Sequence, residues 1–168
     1  MRTLYLLRHA KSSWAEPALP DRQRPLAARG RRDAKRIAKH LVQLQIQPEL
    51  VLCSSAVRAR ETLERVRVAL GTTSTVRLED ELYGASAERL LERIRLVPEA
   101  VASGMVIGHN PGLQELALLL AGDGVDRGRL EEKFPTAALA TLTLATAWSQ
   151  AAPGGAVLTA YVVPKQLR

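Results

Sequence analysis

Four short strand-like runs, three apolar and one β-branched, each ending in a polar cluster and each leading into a segment of helical period, constrain this chain more than any other feature. Residues 3–7 (Thr-Leu-Tyr-Leu-Leu) stop at Arg8-His9 and residues 50–53 at Ser54-Ser55. Residues 75–78 stop at Glu79-Asp80-Glu81, and residues 105–107 at Gly108-His109-Asn110-Pro111-Gly112. Short runs of this kind fit strands buried on both faces. Between them, Ala34, Ile37, Ala38, Leu41 and Leu44 recur at three- and four-residue steps, with Arg and Lys on the opposite face, which predicts an amphipathic helix over residues 26–44. The Ser54-Ser55 hydroxyls are suited to cap a second helix that runs to Leu70 and is closed by Gly71, and residues 87–97 and 113–120 supply two more. The proline-rich stretch 14–25 reads as a surface loop. Residues 138–146 and 156–163 flank Pro153-Gly154-Gly155 and read as a hairpin. Strands alternating with helices through short connections predict one domain over residues 1–168. It is an α/β three-layer sandwich, a mostly parallel sheet flanked by helices, with antiparallel edge strands near the C-terminus.

Composition narrows the functional classes. With 46% hydrophobic residues in 168, the chain can bury a sizeable core, and no run approaches the length of a membrane span. Cys53 is the one cysteine, so no intramolecular disulfide is possible and a cytoplasmic location is expected. The net charge of +7 is uneven: residues 1–70 carry 15 Lys and Arg against 6 Asp and Glu, the remainder 9 against 11. A basic half of this kind attracts anions, whether nucleic acid, acidic lipid or a phosphate-bearing substrate.

Ligands of open α/β sheets bind beyond the carboxyl ends of the strands, where helix N-termini and loop amides converge. Arg8-His9 leave the first predicted strand there, Ser54, Ser55 and Arg58 the second, Asp80-Glu81 the third and His109 the fourth. Two imidazoles and two guanidiniums on one rim repel one another unless an anion lies between them, which points to a phosphoryl group. A neutral His9 nitrogen can attack phosphorus, while Arg8, Arg58 and a protonated His109 hold the equatorial oxygens. Glu81 is the candidate proton donor to the leaving group. With His9 neutral and His109 charged, a bell-shaped activity profile around the reference histidine pKa of about 6.5 is expected. The chemistry needs no metal or organic cofactor.

The runs Leu7-Arg8-His9-Ala10, Ser54-Ser55 with Arg58 and Thr62, and Gly108-His109-Asn110 resemble the three signatures of the histidine phosphatase superfamily. The stretch from Arg8 to Trp14, with Asp21 and Arg24-Pro25-Leu26, resembles the small bacterial SixA-type phosphohistidine phosphatases. Ala10 stands where the superfamily usually has glycine. The resemblance implies His9 as nucleophile and Arg8, Arg58 and His109 as phosphoryl ligands, with Ser12 and Ser54 as further substrate-binding candidates. It also implies protein phosphohistidine as the substrate, for example on a histidine phosphotransfer domain, with a small phosphorylated metabolite as the alternative. The short connection between Leu78 and Ala87 leaves no room for a covering insertion, which favours an open site and a bulky substrate.

Other readings compete. Each motif alone is a strand end, a helix cap or a turn, and only their joint placement carries weight. Four residues separate Cys53 from Arg58 where the phosphate loop of cysteine phosphatases has five, and that segment lacks glycine. His9 and His109 lack a second ligand at metal-binding spacing. A non-catalytic phosphate- or nucleic-acid-binding module is the rival from another class, and an aromatic content of 4% argues against nucleic acid. His40 reads as solvated helix surface.

Overall fold

The computed structural model describes residues 1–124 and 126–167. Among these, seven strands form one sheet in the order β3-β2-β4-β1-β6-β7-β5. The strands are β1 (Arg2–Arg8), β2 (Leu50–Ser54), β3 (Thr75–Glu79), β4 (Ser103–Gly108), β5 (Ala121–Gly124), β6 (Leu139–Leu144) and β7 (Ala156–Val162). The helices are α1 (Ala28–Gln43), α2 (Val57–Leu70), α3 (Ala87–Arg95), α4 (Gly112–Leu120) and α5 (Arg127–Glu132). The neighbours β3, β2, β4 and β1 are mutually parallel, β6 runs against both β1 and β7, and β5 pairs parallel with β7. The sheet is thus mostly parallel with antiparallel C-terminal pairing, as the alternation of elements predicts. The C-terminal hairpin is not itself the edge: β6 is interior, and β5, which has no strong strand pattern in Ala-Gly-Asp-Gly, lies outside β7.

Alternating side chains explain why the strands read as continuous apolar runs. Leu4 and Leu6 of β1, Leu50 and Leu52 of β2 and Val106 of β4 face the layer containing α3 and α4. Leu7, Val51, Cys53, Met105 and Ile107 face the layer containing α1 and α2. Each face buries one parity of every central strand, so neither position can be polar.

The first helix begins at Ala28, two residues later than its apolar period suggests, because Ala27 and Leu26 are held extended: Ala27 N–H donates to the Lys11 carbonyl (2.8 Å) and Leu26 N–H to Glu61 Oε1 (2.7 Å). Gly30 then packs directly on that loop, where an added Cβ would lie 2.1 Å from the Lys11 carbonyl oxygen. Gly112 does the same at the start of α4, at 2.2 Å from the Ala85 carbonyl oxygen. These two contacts set the depth at which the loops after β1 and β3 sit against the helices.

Candidate active site

Because β1, β2, β3 and β4 are parallel, their carboxyl ends share one rim, and the residues leaving them converge. His9 follows β1, Ser54 ends β2, Arg58 lies in the first turn of α2 and His109 follows β4. The His9 and His109 ring centroids are 5.1 Å apart, and Arg58 Nε donates toward His9 Nε2 at 3.3 Å. Three of the four predicted residues (His9, Arg58 and His109) are buried, and the fourth, Arg8, is half-buried.

The hydrogen bonds fix the tautomer of His9. Its Nδ1 lies 2.7 Å from the Ala10 carbonyl oxygen, which can only accept, so Nδ1 carries the proton and Nε2 presents a lone pair. Ala10 is held in turn by its N–H, which donates to Thr62 Oγ1 at 3.0 Å, and the Thr62 hydroxyl donates to the Arg58 carbonyl at 2.7 Å. Burial, reinforced by the charges of His109, Arg58 and Arg8, pushes His9 down to about 3, which keeps Nε2 unprotonated at neutral pH.

His109 is arranged differently. Ser54 Oγ accepts the Ala56 N–H (3.2 Å) and also pairs with His109 Nε2 at 2.8 Å, a contact that fixes the ring's orientation and serves either tautomer. His109 Nδ1 is buried without a partner among the described residues, as are Arg8 Nε and Arg24 Nη1. Buried donors without acceptors are rare in folded proteins. Here Arg8 Nε and, in the protonated imidazole, His109 Nδ1 belong to side chains flanking His9, and they suit the oxygens of an anion. Burial, followed by the charge of Arg58, pushes His109 down to about 4. Both imidazoles are therefore neutral in the free site at pH 7, which corrects the expectation of a standing positive charge on His109 and of a titration centred near 6.5. A phosphoryl dianion beside it would restore that charge by proton uptake.

Several residues that spacing did not single out complete the site. Asp21, in the short 3-10 turn Asp21–Gln23 of the proline-rich loop, takes Arg58 Nη2 on Oδ2 (2.9 Å) and Arg58 Nη1 on its carbonyl oxygen (2.7 Å). The Tyr83 hydroxyl donates to the same Oδ2 at 2.6 Å, and the Tyr83 ring stands edge-on to His109. With Arg24 Nε on Oδ1, these donors hold Asp21 at about 2, the Tyr83 hydroxyl contributing most. Asp21 is thus an anionic clamp on Arg58 rather than a proton donor. Arg24 also donates to Ser12 Oγ (2.8 Å) and stacks under the Trp14 ring, 3.4 Å from its centroid. On the other side, Arg8 Nη1 and Asn110 Nδ2 both donate to the Phe134 carbonyl at 3.0 Å. The sequence signals for these residues were the stretch from Arg8 to Trp14, Asp21 with Arg24, and Asn110, all carried by the resemblance. Tyr83 and Phe134 gave none, being brought in by folding alone.

The remaining predicted residues are placed as follows. Ser12 is buried but occupied by Arg24, and Ser54 is occupied by His109. Neither Ser54 nor Ser55 caps α2, whose N-cap is Ala56: Ser54 is drawn to His109, and Ser55 bonds to Asp80 and Arg22. Glu81 is exposed beside Arg89 and Arg93 and makes no hydrogen bond to the site. The 3-10 turn Asp80–Leu82 buries Leu82, and with about 120° between successive side chains Glu81 is turned outward. Arg58, which resembled a solvated helical arginine when taken alone, is buried. Cys53 is fully buried and its thiol is pushed up to about 12 by burial, a state far from the thiolate that a cysteine nucleophile requires. His40 is half-buried on α1, away from these groups. Among the described residues no three His, Cys, Asp or Glu side chains gather as metal ligands, and no helix is long and apolar enough to cross a membrane.

Comparison with known proteins agrees with this geometry. The model of the histidine phosphatase superfamily (branch 1) matches residues 4–92, just over half of the chain. The chain belongs to the histidine phosphatase superfamily. It is 37% identical to an uncharacterized protein of Mycobacterium tuberculosis over 163 residues, covering 95% of this chain and all of the relative. It is 31% identical to the phosphohistidine phosphatase SixA of Escherichia coli, covering 84% of each chain. The structure of the protein histidine phosphatase SixA complexed with tungstate superposes with a TM-score of 0.79 at 27% identity, covering 98% of both chains. Membership in the superfamily and the SixA-like fold support phosphatase activity.

Proposed function

We propose that the protein hydrolyses phosphohistidine on a protein through a phosphoenzyme formed at His9, without a metal ion. The observation that carries this reading is the His9 tautomer. Nδ1–H is tied to the Ala10 carbonyl and Nε2 keeps its lone pair in a pocket of buried cationic donors. In the first step Nε2 attacks phosphorus and the substrate P–N bond breaks, the substrate imidazole, protonated from solvent on its other ring nitrogen, leaving as neutral imidazole. In the second, water attacks the phosphorus of phospho-His9, the P–Nε2 bond breaks and inorganic phosphate leaves. Arg8, Arg58 and a His109 protonated on binding hold the phosphoryl oxygens, and Ser54 orients His109 through Nε2.

Among the described residues the site carries no carboxylic acid poised to protonate a leaving oxygen, since Asp21 stays ionised and Glu81 is exposed to solvent. A phosphohistidine protonated on its other ring nitrogen releases neutral imidazole readily, so it suits this site better than an unactivated phosphate ester. The short loop between β3 and α3 leaves the mouth open to a macromolecular substrate.

The test compares turnover of a phosphohistidine-bearing phosphotransfer domain with that of sugar phosphates and nucleotides, in the presence of chelator, with His9→Ala as the blank. Preference for the phosphoprotein is expected, together with an acid-labile phosphoenzyme absent from His9→Ala. A preference for sugar phosphates would overturn the protein substrate. Loss of activity in chelator would overturn metal independence.

A further inference from the structure

A groove of about 660 Å³ lies between α1, the end of α5 and the C-terminal 3-10 turn Pro164–Gln166. Six cations line it, Arg29, Arg32, Arg36, Arg129, Lys133 and Lys165, against two acids, Asp33 and Glu132. Asp33 is buried and already shared between Arg29 (3.8 Å) and Arg36 (3.1 Å). Among the described residues Arg32, Lys133 and Lys165 have no acidic partner. The half-buried Pro135 and Val163 supply apolar lining above the buried Tyr161, and Arg129 lies 5.1 Å over the Tyr161 ring.

The groove and the active site share one strip of backbone. Lys133 and Pro135 line the groove, while the Phe134 carbonyl between them accepts Arg8 and Asn110 in the site. Two residues on, the Ala137 N–H donates to the carbonyls of Arg8 and His9. A partner seated in the groove is therefore one short peptide away from the nucleophile.

We infer that this basic groove is the docking surface for an acidic segment of the protein substrate, a site separate from the phosphoryl pocket. The inference rests on the phosphoprotein reading above. Charge complementarity selects an anion, and the mixture of apolar floor with charged rim is the anatomy of a protein interface. Nucleic acid fits less well: Asp33 and Glu132 interrupt the cations, whereas a duplex presents an unbroken line of phosphates. A membrane surface does not enter a concave groove.

The experiment uses the full chain carrying Arg32→Glu, Lys133→Glu and Lys165→Glu together; none of these side chains contacts the catalytic groups. Two readouts are taken: binding of a fluorescein-labelled poly-glutamate peptide of about twenty residues, and steady-state kinetics on a phosphotransfer domain and on phosphoramidate. The triple variant is expected to bind the peptide at least about tenfold more weakly and to show a KM for the phosphoprotein raised by a similar factor, with kcat and phosphoramidate turnover within about twofold of wild type. Raising salt from about 0.05 to 0.5 M should reproduce the loss in the wild type and change the variant little. Unchanged peptide affinity and KM in the variant would overturn the groove while leaving the phosphohistidine reading intact. Groove-dependent peptide binding without any phosphoprotein turnover would keep the groove as an acidic-peptide site and overturn the reading it rests on. Duplex DNA bound more tightly than the peptide, and lost in the variant, would replace the protein partner by nucleic acid.

Discussion

Replacing Thr62 by valine exchanges one hydroxyl for a methyl group at nearly constant volume, and the structure ties that hydroxyl to both halves of the site. Thr62 is 1% exposed; Oγ1 accepts the Ala10 N–H and donates to the Arg58 carbonyl. In Thr62→Val the Ala10 amide, itself fully buried, has no acceptor. A buried donor left unpaired costs about 1–3 kcal/mol. For a chain of this length, at about 2–4 °C per kcal/mol, the melting temperature should fall by roughly 2–12 °C. The kinetic effect should exceed the loss of folded protein, because Ala10 is also the residue whose carbonyl holds His9 Nδ1. Displacement of the imidazole by about 1 Å would lower the phosphorylation rate on the order of a hundredfold. Thr62→Ser keeps both hydrogen bonds and loses one methyl group, about 1 kcal/mol of burial, so it should be less stable yet nearly as fast as wild type. Thermal denaturation with single-turnover phosphoenzyme formation separates the two effects. A Thr62→Val protein that melts and reacts like wild type, or a Thr62→Ser protein as slow as Thr62→Val, would refute the role assigned to this hydroxyl.

Three further outcomes are expected. Both site histidines have folded pKa values below the unfolded value of about 6.5, so the unfolded chain binds protons first on acidification and stability is lost from pH 6.5 down to about 4 for His109 and about 3 for His9. Removing one titrating group in His109→Gln should lessen that loss by on the order of 2 kcal/mol at pH 4.5, read from denaturant titrations at pH 7 and 4.5; equal slopes in the two proteins would contradict a buried neutral His109. Asp21→Asn keeps the shape of the Arg58 clamp but not its charge, and kcat/KM should fall by about 10–100-fold while stability changes by less than about 1 kcal/mol, since the aspartate is half exposed. Unaltered kinetics in Asp21→Asn would show that Arg58 is positioned without it. Gly30→Ala would place Cβ against the Lys11 carbonyl, and the loop 9–13 must move or α1 must shift; a melting temperature equal to wild type would show that the contact is loose.

The order of elements was legible because each central strand is buried on both faces and so reads as an unbroken apolar run, and because α1 and α3 are amphipathic. The outer elements were not. β5 is Ala-Gly-Asp-Gly, a strand held by pairing with β7 rather than by side-chain propensity, and α5 is too short to show a period. Ser54 and Ser55 illustrate the limit of local rules: as helix-flanking serines they have the chemistry of caps, yet His109 and Asp80, distant in the chain, take their hydroxyls.

For the site, the sequence by itself determined that Arg8, His9, Arg58 and His109 meet, because parallel strands have one polarity and every residue that follows a strand end is delivered to the same rim. Only the tertiary structure decided what those groups are when they meet. The tautomer of His9 depends on the Ala10 carbonyl, and its anchoring on a threonine from α2. The neutral state of both imidazoles comes from desolvation, and the orientation of Arg58 from Asp21 in the short 3-10 turn of the proline-rich loop and from Tyr83 beyond β3. Spacing along a chain records strand polarity and face, whereas burial and contacts across sixty residues exist only once the chain is packed.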